Sequence, residues 1–229
     1  MFNADVCTLT GDGQPQLVLL DLDGTLIDSV PDLAAATDNM LVALGRKAVG
    51  PQQVAHWVGN GADMLVRRAL AEGNEDAALA LDADEMSLAR QHFDDAYLAC
   101  LHHATGAFPG VDRFLQTIEA RKVLVTNKPR LFTEPLIRSL GWQTYFAFLL
   151  CGDDLAEKKP SPAPVLYACK ETGIKPSQTI MIGDSRHDIA AAKAAGVATV
   201  AVTYGYNHGD DIRNSAPDLV VDSLSELLV

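Results

Sequence analysis

Carboxylates account for most of the candidate chemistry in this sequence. Asp21 and Asp23 open the sequence DLDGT, and Asp184 and Asp188 lie one helical turn apart much later in the chain. Carboxylates that converge on one point repel one another strongly, unless a divalent cation lies among them. Ligation by oxygen alone favours Mg²⁺. If the aspartates meet in space, the pattern predicts a magnesium site.

Each group of candidate residues follows or ends a short apolar run. Apolar residues at every position are typical of a strand buried on both faces, as in a parallel sheet. The predicted strands are Leu17–Leu20, Val123–Asn127, Thr179–Asp184, Ala198–Val202 and a weaker Phe148–Cys151. The predicted helices between them are Arg113–Glu119, Leu131–Leu140, Ala163–Thr172 and Asp188–Ala195. This alternation predicts a doubly wound α/β fold.

In such a sheet the active site lies at the carboxyl ends of the strands. Asp21, Thr126 and Asp184 occupy that place after three predicted strands. Lys159 lies in the sequence KKPSP, in a loop that opens a helix. The Lys-Pro-x-Pro pattern favours Lys159 over its neighbour Lys158 for a place in the site.

Residues 31–105 contain no buried-strand run, and their apolar residues recur at helical spacing. We therefore predict a loose leader over residues 1–14, an α/β core over 15–30 and 106–229, and an inserted helical cap over 31–105. Within the cap, Gly59, Asn60 and Gly61 form a turn between two helices. This turn is expected to present backbone amides toward the site.

Composition and charge exclude several classes of protein. The 229 residues are 48% hydrophobic and 21% charged, which excludes disordered and fibrous chains. A net charge of -12 argues against a nucleic-acid partner. No apolar stretch approaches the ~20 residues of a membrane span, so no membrane partner is expected. Without a signal-peptide pattern, the scattered cysteines predict reduced thiols in a cytoplasmic protein.

The four motifs taken together resemble those of the haloacid dehalogenase superfamily, in its phosphatase branch. DLDGT, Thr126, Lys159 and the run from Gly183 to Asp188 match in order, and the resemblance extends from Leu17 to Leu228. It implies a Rossmann-like core with a helical cap, and Mg²⁺-dependent hydrolysis of a small phosphate monoester. Asp23 favours the phosphatases, because a dehalogenase has no leaving alkoxide to protonate.

The resemblance also implies a role for each motif residue. Asp21 is the expected nucleophile, which becomes an aspartyl phosphate. Asp23 is the expected general acid and base. Thr126 and Asn127 are expected to hydrogen-bond the phosphoryl oxygens, and Lys159 to neutralise them and hold Asp21.

For the metal, the resemblance implies Mg²⁺ bound by the Asp21 side chain, the Asp23 carbonyl and Asp184. Asp188 is expected close behind them, although its position suits a helix-cap residue equally well. The favoured substrate is 2-phosphoglycolate, with Gly59, Asn60, Gly61 and Asn127 contacting the substrate.

Three alternatives stay open on the sequence. A phosphosugar phosphatase would share the mechanism, and a phosphoglucomutase-like isomerase would share all four motifs but return the phosphoryl group to its substrate. A binding module without catalysis would not need the intact Asp21, Asp23, Lys159 and Asp184. The expected partner is a small phosphorylated metabolite, and the chain is expected to be a monomer or homodimer.

One departure from the family concerns the connection before Thr126. The helix there is predicted to run almost directly into its strand, whereas the family usually has several more residues between them. A short helix-to-strand loop is permitted. The predicted strand is then only about four residues long.

Overall fold

A computed structural model describes residues 1–11 and 13–229, and its centre is a parallel β-sheet. The strands in chain order are β1 (Leu17–Leu20), β2 (Ile27–Asp28), β3 (Gly106–Ala107), β4 (Arg121–Val125), β5 (Leu149–Leu150), β6 (Thr179–Gly183), β7 (Ala198–Val202) and β8 (Leu219–Val221). Six of them form the parallel sheet in the order β5-β4-β1-β6-β7-β8, while β2 and β3 pair separately. The predicted doubly wound α/β fold is confirmed.

Helices connect and cover these strands. They are α1 (Ala4–Thr8), α2 (Val30–Ala43), α3 (Gly50–Trp57), α4 (Ala62–Leu70), α5 (Glu75–Ala80), α6 (Ala83–Cys100), α7 (Val111–Thr117), α8 (Arg130–Ser139), α9 (Ala163–Thr172) and α10 (Arg186–Ala194). Short 3₁₀ turns lie at Pro176–Gln178, Asn207–Gly209, Ile212–Ser215 and Leu224–Leu227. No helix within residues 1–11 and 13–229 is long and apolar enough to cross a bilayer.

Alternate residues of β1 pack into two different hydrophobic cores. Val18 and Leu20 belong to the cluster that contains Phe114 of α7, whereas Leu17 and Leu19 join the cluster on the opposite face of the sheet. Both faces are covered, so each position of the strand excludes water and must be apolar. This double burial explains the unbroken apolar run that ends at Asp21.

Helices α2 to α6 lie between β2 and β3 and share a hydrophobic core of their own. Met40, Val66, Phe93 and Tyr97 are fully buried in it, together with Phe132 of α8. This separate packing supports our proposal of a cap over residues 31–105. Phe132 lies outside residues 31–105, so the α/β core also contributes a side chain to this hydrophobic cluster.

The chain enters and leaves this helical unit through two adjacent segments. Ile27 pairs with Ala107 in the small antiparallel sheet. The buried Asp32 carboxylate accepts hydrogen bonds from the main-chain N–H groups of Ala104 and Thr105 at 2.9 and 2.8 Å. These contacts tie the outgoing and returning segments together at the base of the unit.

The expectation of a loose leader is wrong for the described residues of the N-terminal segment. Helix α1 forms there, and Phe2 and Val6 are buried in the main core. The ring of Phe2 packs edge-on against Phe114, and its backbone bridges to Leu228. A few apolar residues in a short segment carry no readable periodicity, and their partners, Phe114 and Leu228, lie far away in the sequence.

The bounds of one strand differ from the prediction, and one further strand was not predicted. Strand β4 is five residues long, begins at Arg121 and ends at Val125, so Thr126 and Asn127 lie beyond it. The three-residue connection from α7 therefore does not shorten the strand. The short strand β8 at the edge of the sheet, with half-buried Leu219 and Val220, was missed.

Candidate active site

Lys159 joins the first and last motifs at the carboxyl edge of the sheet. Its ammonium lies 2.7 Å from Asp21 Oδ1 and 2.7 Å from Asp188 Oδ1, and it donates to the Val125 carbonyl at 2.6 Å. Burial alone would lower the pKa of Lys159, but the charges of Asp188 and Asp21 outweigh burial and raise it. The lysine is therefore a buried cation paired with two aspartates.

Three buried carboxylates meet beside this lysine. Asp21, Asp184 and Asp188 each offer an oxygen, and these oxygens lie within 4.8 Å of one another. Burial raises the pKa of Asp21 well above its usual range, with the charge of Asp188 adding to the rise. Burial and then Asp188 raise the pKa of Asp184 to about 7. An all-oxygen donor set with this excess of negative charge fits a hard divalent cation.

Asp184 is held in place from two sides. Thr25 Oγ1 donates to its Oδ1 at 2.9 Å, and the Tyr206 N–H donates to its Oδ2 at 2.8 Å. Gly24 and Gly205 pass so close to the carboxylate that a Cβ at either position would overlap it. The glycine and threonine of DLDGT thus place a carboxylate that lies 159 residues away.

Asp188 takes the helix-cap role that its position suggested, and it also lies beside the other acids of the site. Its Oδ2 accepts from the N–H and hydroxyl of Ser185, which closes a capping box at the start of α10. Its Oδ1 forms the ion pair with Lys159. The cap fixes the carboxylate, and the fixed carboxylate faces the other acids of the site.

The side chain of Asp23 points to a different set of partners. Ser29 Oγ donates to Asp23 Oδ1 at 2.5 Å, and Lys128 Nζ lies 3.0 Å from the same oxygen. Lys128 is buried and also donates to the Tyr97 hydroxyl at 2.7 Å. The two acids of DLDGT therefore have different environments, since Asp21 faces Lys159 and the other carboxylates.

Thr126 and Asn127 lie directly beyond β4, but their side chains are used differently. Thr126 Oγ1 accepts from the Lys128 N–H at 3.1 Å, which leaves its hydroxyl proton for another acceptor. Asn127 Nδ2 donates to the carbonyls of Gly59 and Lys159 at 3.0 and 2.9 Å. Both amide protons of Asn127 thus bind the protein itself and hold the cap turn against the Lys159 loop.

The cap turn of Gly59, Asn60 and Gly61 lies against the carboxyl edge of the sheet. Gly61 has a φ of 87° and approaches Asn127 so closely that a Cβ would lie 2.8 Å from its carbonyl oxygen. The Asn60 amide contacts His187 Nε2 at 2.9 Å, and Asn60 Oδ1 accepts from Arg68 at 2.8 Å. The turn is therefore anchored through its amide side chain.

A histidine cluster lies next to this anchor. His187 Nε2 is 3.2 Å from His208 Nε2, and His208 Nδ1 is 3.0 Å from the His56 carbonyl oxygen. Burial and then the neighbouring His208 lower the pKa of His187 to about 4. These histidines are contacts between the helical unit and the sheet edge, and His187 is neutral near pH 7.

Sequence reasoning missed the residues that connect these parts. No individual role in the site was assigned to Lys128, Tyr97 or Arg68 from the sequence. Lys128 and Tyr97 lie 31 residues apart in separate elements. Apolar periodicity marks Tyr97 as buried but does not reveal that its hydroxyl has a partner.

A small cavity of about 30 Å³ lies between these parts and opens onto both acids of DLDGT. Its polar walls are Asp21, Asp23, Thr126, Asn127 and Lys128. Most of the remaining wall is apolar and comes from the helical unit. A cavity of this volume holds about two water molecules, so a larger ligand can enter only if the helical unit moves.

The family model for haloacid dehalogenase-like hydrolases matches residues 18–202. A phosphoglycolate phosphatase of Pseudomonas fluorescens is 49% identical over 217 residues, which cover 93% of this chain and 79% of the relative. Phosphoglycolate phosphatase 1 of Pseudomonas aeruginosa is 47% identical over the same shares of both chains.

Solved structures are similar over nearly the whole chain. A crystal structure of a predicted phosphoglycolate phosphatase from Haemophilus somnus has a TM-score of 0.87 and 36% identity, covering 94% of this chain and 97% of the other. A phosphate complex of CbbY from Rhodobacter sphaeroides has a TM-score of 0.77 at 22% identity, covering 93% and 96%. The second likeness concerns the fold alone.

Proposed function

Because this chain belongs to the haloacid dehalogenase-like hydrolases, we propose that it hydrolyses 2-phosphoglycolate to glycolate and phosphate with Mg²⁺, through an aspartyl phosphate. The chain is a phosphoric monoester hydrolase, given curated relatives named phosphoglycolate phosphatase at 45–49% identity. The observation that carries the proposal is the buried ion-pair cluster of Asp21, Lys159 and Asp188 beside Asp184.

Asp21 is the proposed nucleophile. One carboxylate oxygen attacks phosphorus, forming the acyl phosphate while the bond from phosphorus to the ester oxygen breaks. Lys159 opposes the rise in the pKa of Asp21 that burial causes, and so favours the ionised form that attack requires. The same ammonium lies where it can offset the charge of the phosphoryl oxygens.

Asp23 is the proposed general acid and base. It protonates the leaving alkoxide in the first step and accepts a proton from water in the second, when the acyl phosphate is hydrolysed. Its contacts with Ser29 and Lys128 hold its side chain away from the other carboxylates. This separation gives the two acids different tasks, although one residue lies between them in the sequence.

Thr126 and the main chain beyond β4 are proposed to bind the phosphoryl oxygens. The Thr126 hydroxyl retains a proton to donate. The Asn127 side chain instead acts as a tie between Gly59 and the Lys159 loop, so we assign substrate contact at Asn127 to its backbone. Gly59, Asn60 and Gly61 complete the site from the cap.

Mg²⁺ is the proposed cofactor, held by Asp21, Asp184 and Asp188 with the Asp23 carbonyl. When bound, it would supply positive charge that shields the attacking carboxylate from the phosphate dianion. Asp188 is a candidate direct ligand on this geometry, because its oxygen lies within 4.8 Å of an oxygen of each of the other two acids. Alternatively, Asp188 would not bind the metal directly but would hold Lys159 in place through their ion pair.

The test is release of inorganic phosphate from 2-phosphoglycolate, a hexose phosphate and a nucleoside monophosphate, with Mg²⁺ or with chelator. We expect Mg²⁺-dependent release, greatest with 2-phosphoglycolate. Asp21→Asn keeps the shape of the side chain but removes the nucleophile, and should lower kcat by about 10³-fold or more. Asp95→Asn, at an exposed position of α6, is the matched control and should retain full activity.

The alternatives give different results in the same assay. Faster release from the hexose phosphate would keep the mechanism and replace the substrate. An isomerase would convert the hexose phosphate without net release of phosphate. A binding module without catalysis would release no phosphate, so Asp21→Asn would have no activity to abolish.

A further inference from the structure

A buried lysine and a buried tyrosine face each other across the boundary between the helical unit and the sheet. Lys128 follows β4 and Tyr97 lies on α6, and each is at most 5% exposed. The Lys128 ammonium is 2.7 Å from the Tyr97 hydroxyl and 3.0 Å from Asp23 Oδ1. The Asp23 carboxylate therefore serves as a counterion for the buried Lys128 ammonium.

This pair can offer hydrogen-bond donors to a ligand. An ammonium has three N–H groups, and within the described chain those of Lys128 face three acceptor atoms, with Tyr97 Oη at 2.7 Å, Asp23 Oδ1 at 3.0 Å and Asp23 Oδ2 at 3.3 Å. The contact with Asp23 Oδ2 is the longest of the three, so it is the one that a ligand oxygen can replace. The Tyr97 oxygen accepts from Lys128, which leaves its own O–H proton to donate. Burial raises the pKa of Tyr97 to about 12, so this proton is retained at neutral pH. An anionic oxygen beside the pair can therefore receive one bond from each residue.

The pair lies in the wall of the cavity that opens onto Asp21 and Asp23. Among the described residues that line this cavity, Lys128 is the one basic side chain. Much of the wall around it is apolar, including Leu33, Leu65 and Phe93. An apolar wall leaves the hydroxyl groups of a sugar without partners, which is costly. A ligand with a single anionic end beyond its phosphate matches the wall better.

We propose that Lys128 and Tyr97 bind the carboxylate of the substrate and so select 2-phosphoglycolate over phosphate esters without a carboxylate. This inference rests on the proposed function and names the residues that determine its specificity. One methylene separates the carboxylate of 2-phosphoglycolate from the leaving oxygen. Because Asp23 must face that oxygen, a cation in contact with Asp23 is within reach of the carboxylate.

The experiment compares 2-phosphoglycolate with ethyl phosphate, in which a methyl group replaces the carboxylate. The measured quantity is the ratio of the two kcat/KM values in the wild type, Lys128→Met and Tyr97→Phe. Any effect of Lys128 on proton transfer by Asp23 acts on both substrates and cancels in the ratio. A charge-assisted hydrogen bond is lost in Lys128→Met, so the ratio should fall about 10- to 100-fold.

Tyr97→Phe removes only a hydroxyl and keeps the packing of the ring. The ratio should fall about 3- to 10-fold in this variant, since one neutral donor is lost. Lys47→Met changes an exposed lysine of the helical unit and should leave the ratio unchanged. A lower ratio in both site variants, mostly through a higher KM for 2-phosphoglycolate, would support the subsite.

Two results would overturn the inference, and they differ in what they leave standing. A wild type that prefers 2-phosphoglycolate while both variants keep its ratio would remove the subsite and retain the proposed function. If a variant lost kcat/KM equally on both substrates, the ratio would also be unchanged. Lys128 would then only position Asp23. A wild type without preference for 2-phosphoglycolate would overturn the subsite and the proposed substrate together.

Discussion

Replacing Lys159 with methionine isolates the energetic role of the buried cation. Methionine keeps the length and apolar body of the side chain but removes the ammonium. That ammonium is 2.7 Å from both Asp21 and Asp188, and it donates to the Val125 carbonyl. The variant therefore leaves two buried carboxylates facing each other with no basic side chain between them.

The expected loss of unfolding free energy is about 4 kcal/mol at about pH 8, the usual scale for removing one partner from a buried ion pair. The loss depends on pH, because the two buried carboxylates can become neutral by binding protons when Lys159 is absent. Without Lys159, burial and the neighbouring acids raise the pKa of Asp21 unopposed. A folded state with raised carboxyl pKa binds more protons than the unfolded state, so its stability falls as pH rises. The deficit of Lys159→Met should therefore shrink to about 2 kcal/mol or less at about pH 5.5.

The measurement is urea unfolding followed by circular dichroism, in chelator so that no divalent cation compensates. Lys170→Met, at an exposed position of α9, is the matched control and should change stability by less than about 0.5 kcal/mol. A deficit for Lys159→Met below about 1 kcal/mol at about pH 8 would refute the reasoning. A deficit that does not shrink on acidification would refute the part that assigns it to ionised carboxylates.

The remaining predictions concern the metal. In Gly205→Ala the new Cβ would overlap Asp184, so the Mg²⁺ concentration for half-maximal activity should rise about 10-fold or more. The control is Gly13→Ala, whose Cβ would meet no atom within 4 Å among the non-neighbouring residues that the structure describes. Matching Mg²⁺ titrations of the two variants would contradict this prediction. Mg²⁺ should raise the Tm more at about pH 8 than at about pH 5.5, because burial raises the pKa of Asp184 to about 7 and a metal ligand must be ionised. Thermal unfolding with Mg²⁺ or chelator tests this, and an equal gain at both pH values would count against Asp184 as a ligand.

The placement of the acids at strand ends was predictable because local burial determines it. Strands covered on both faces are predominantly apolar and contain no aspartate here among the described residues, so the first aspartate after each run marks the edge of the sheet. Asp21 and Asp184 follow this rule at β1 and β6. Helical periodicity likewise indicated the inserted unit between β2 and β3, since a helix buries one face at a regular spacing.

The partner of each polar side chain was not predictable from local pattern. A pairing such as Lys128 with Tyr97 depends on how the helical unit sits against the sheet. Asn127 was expected to donate to substrate, whereas its amide protons reach Gly59 and Lys159. Hydrogen-bond partners depend on ångström distances between elements, and neither composition nor periodicity encodes those distances.

The sequence by itself therefore determined the fold class, the order of the motifs and the residue types available at the carboxyl edge of the sheet. Tertiary structure alone decided that the N-terminal segment packs against the C-terminal end, and that Asp188 both caps α10 and pairs with Lys159. The burial of strands and helices follows short-range patterns of apolar residues, which can be read from the sequence. Ion pairs between distant segments form only when the whole core has brought those segments together.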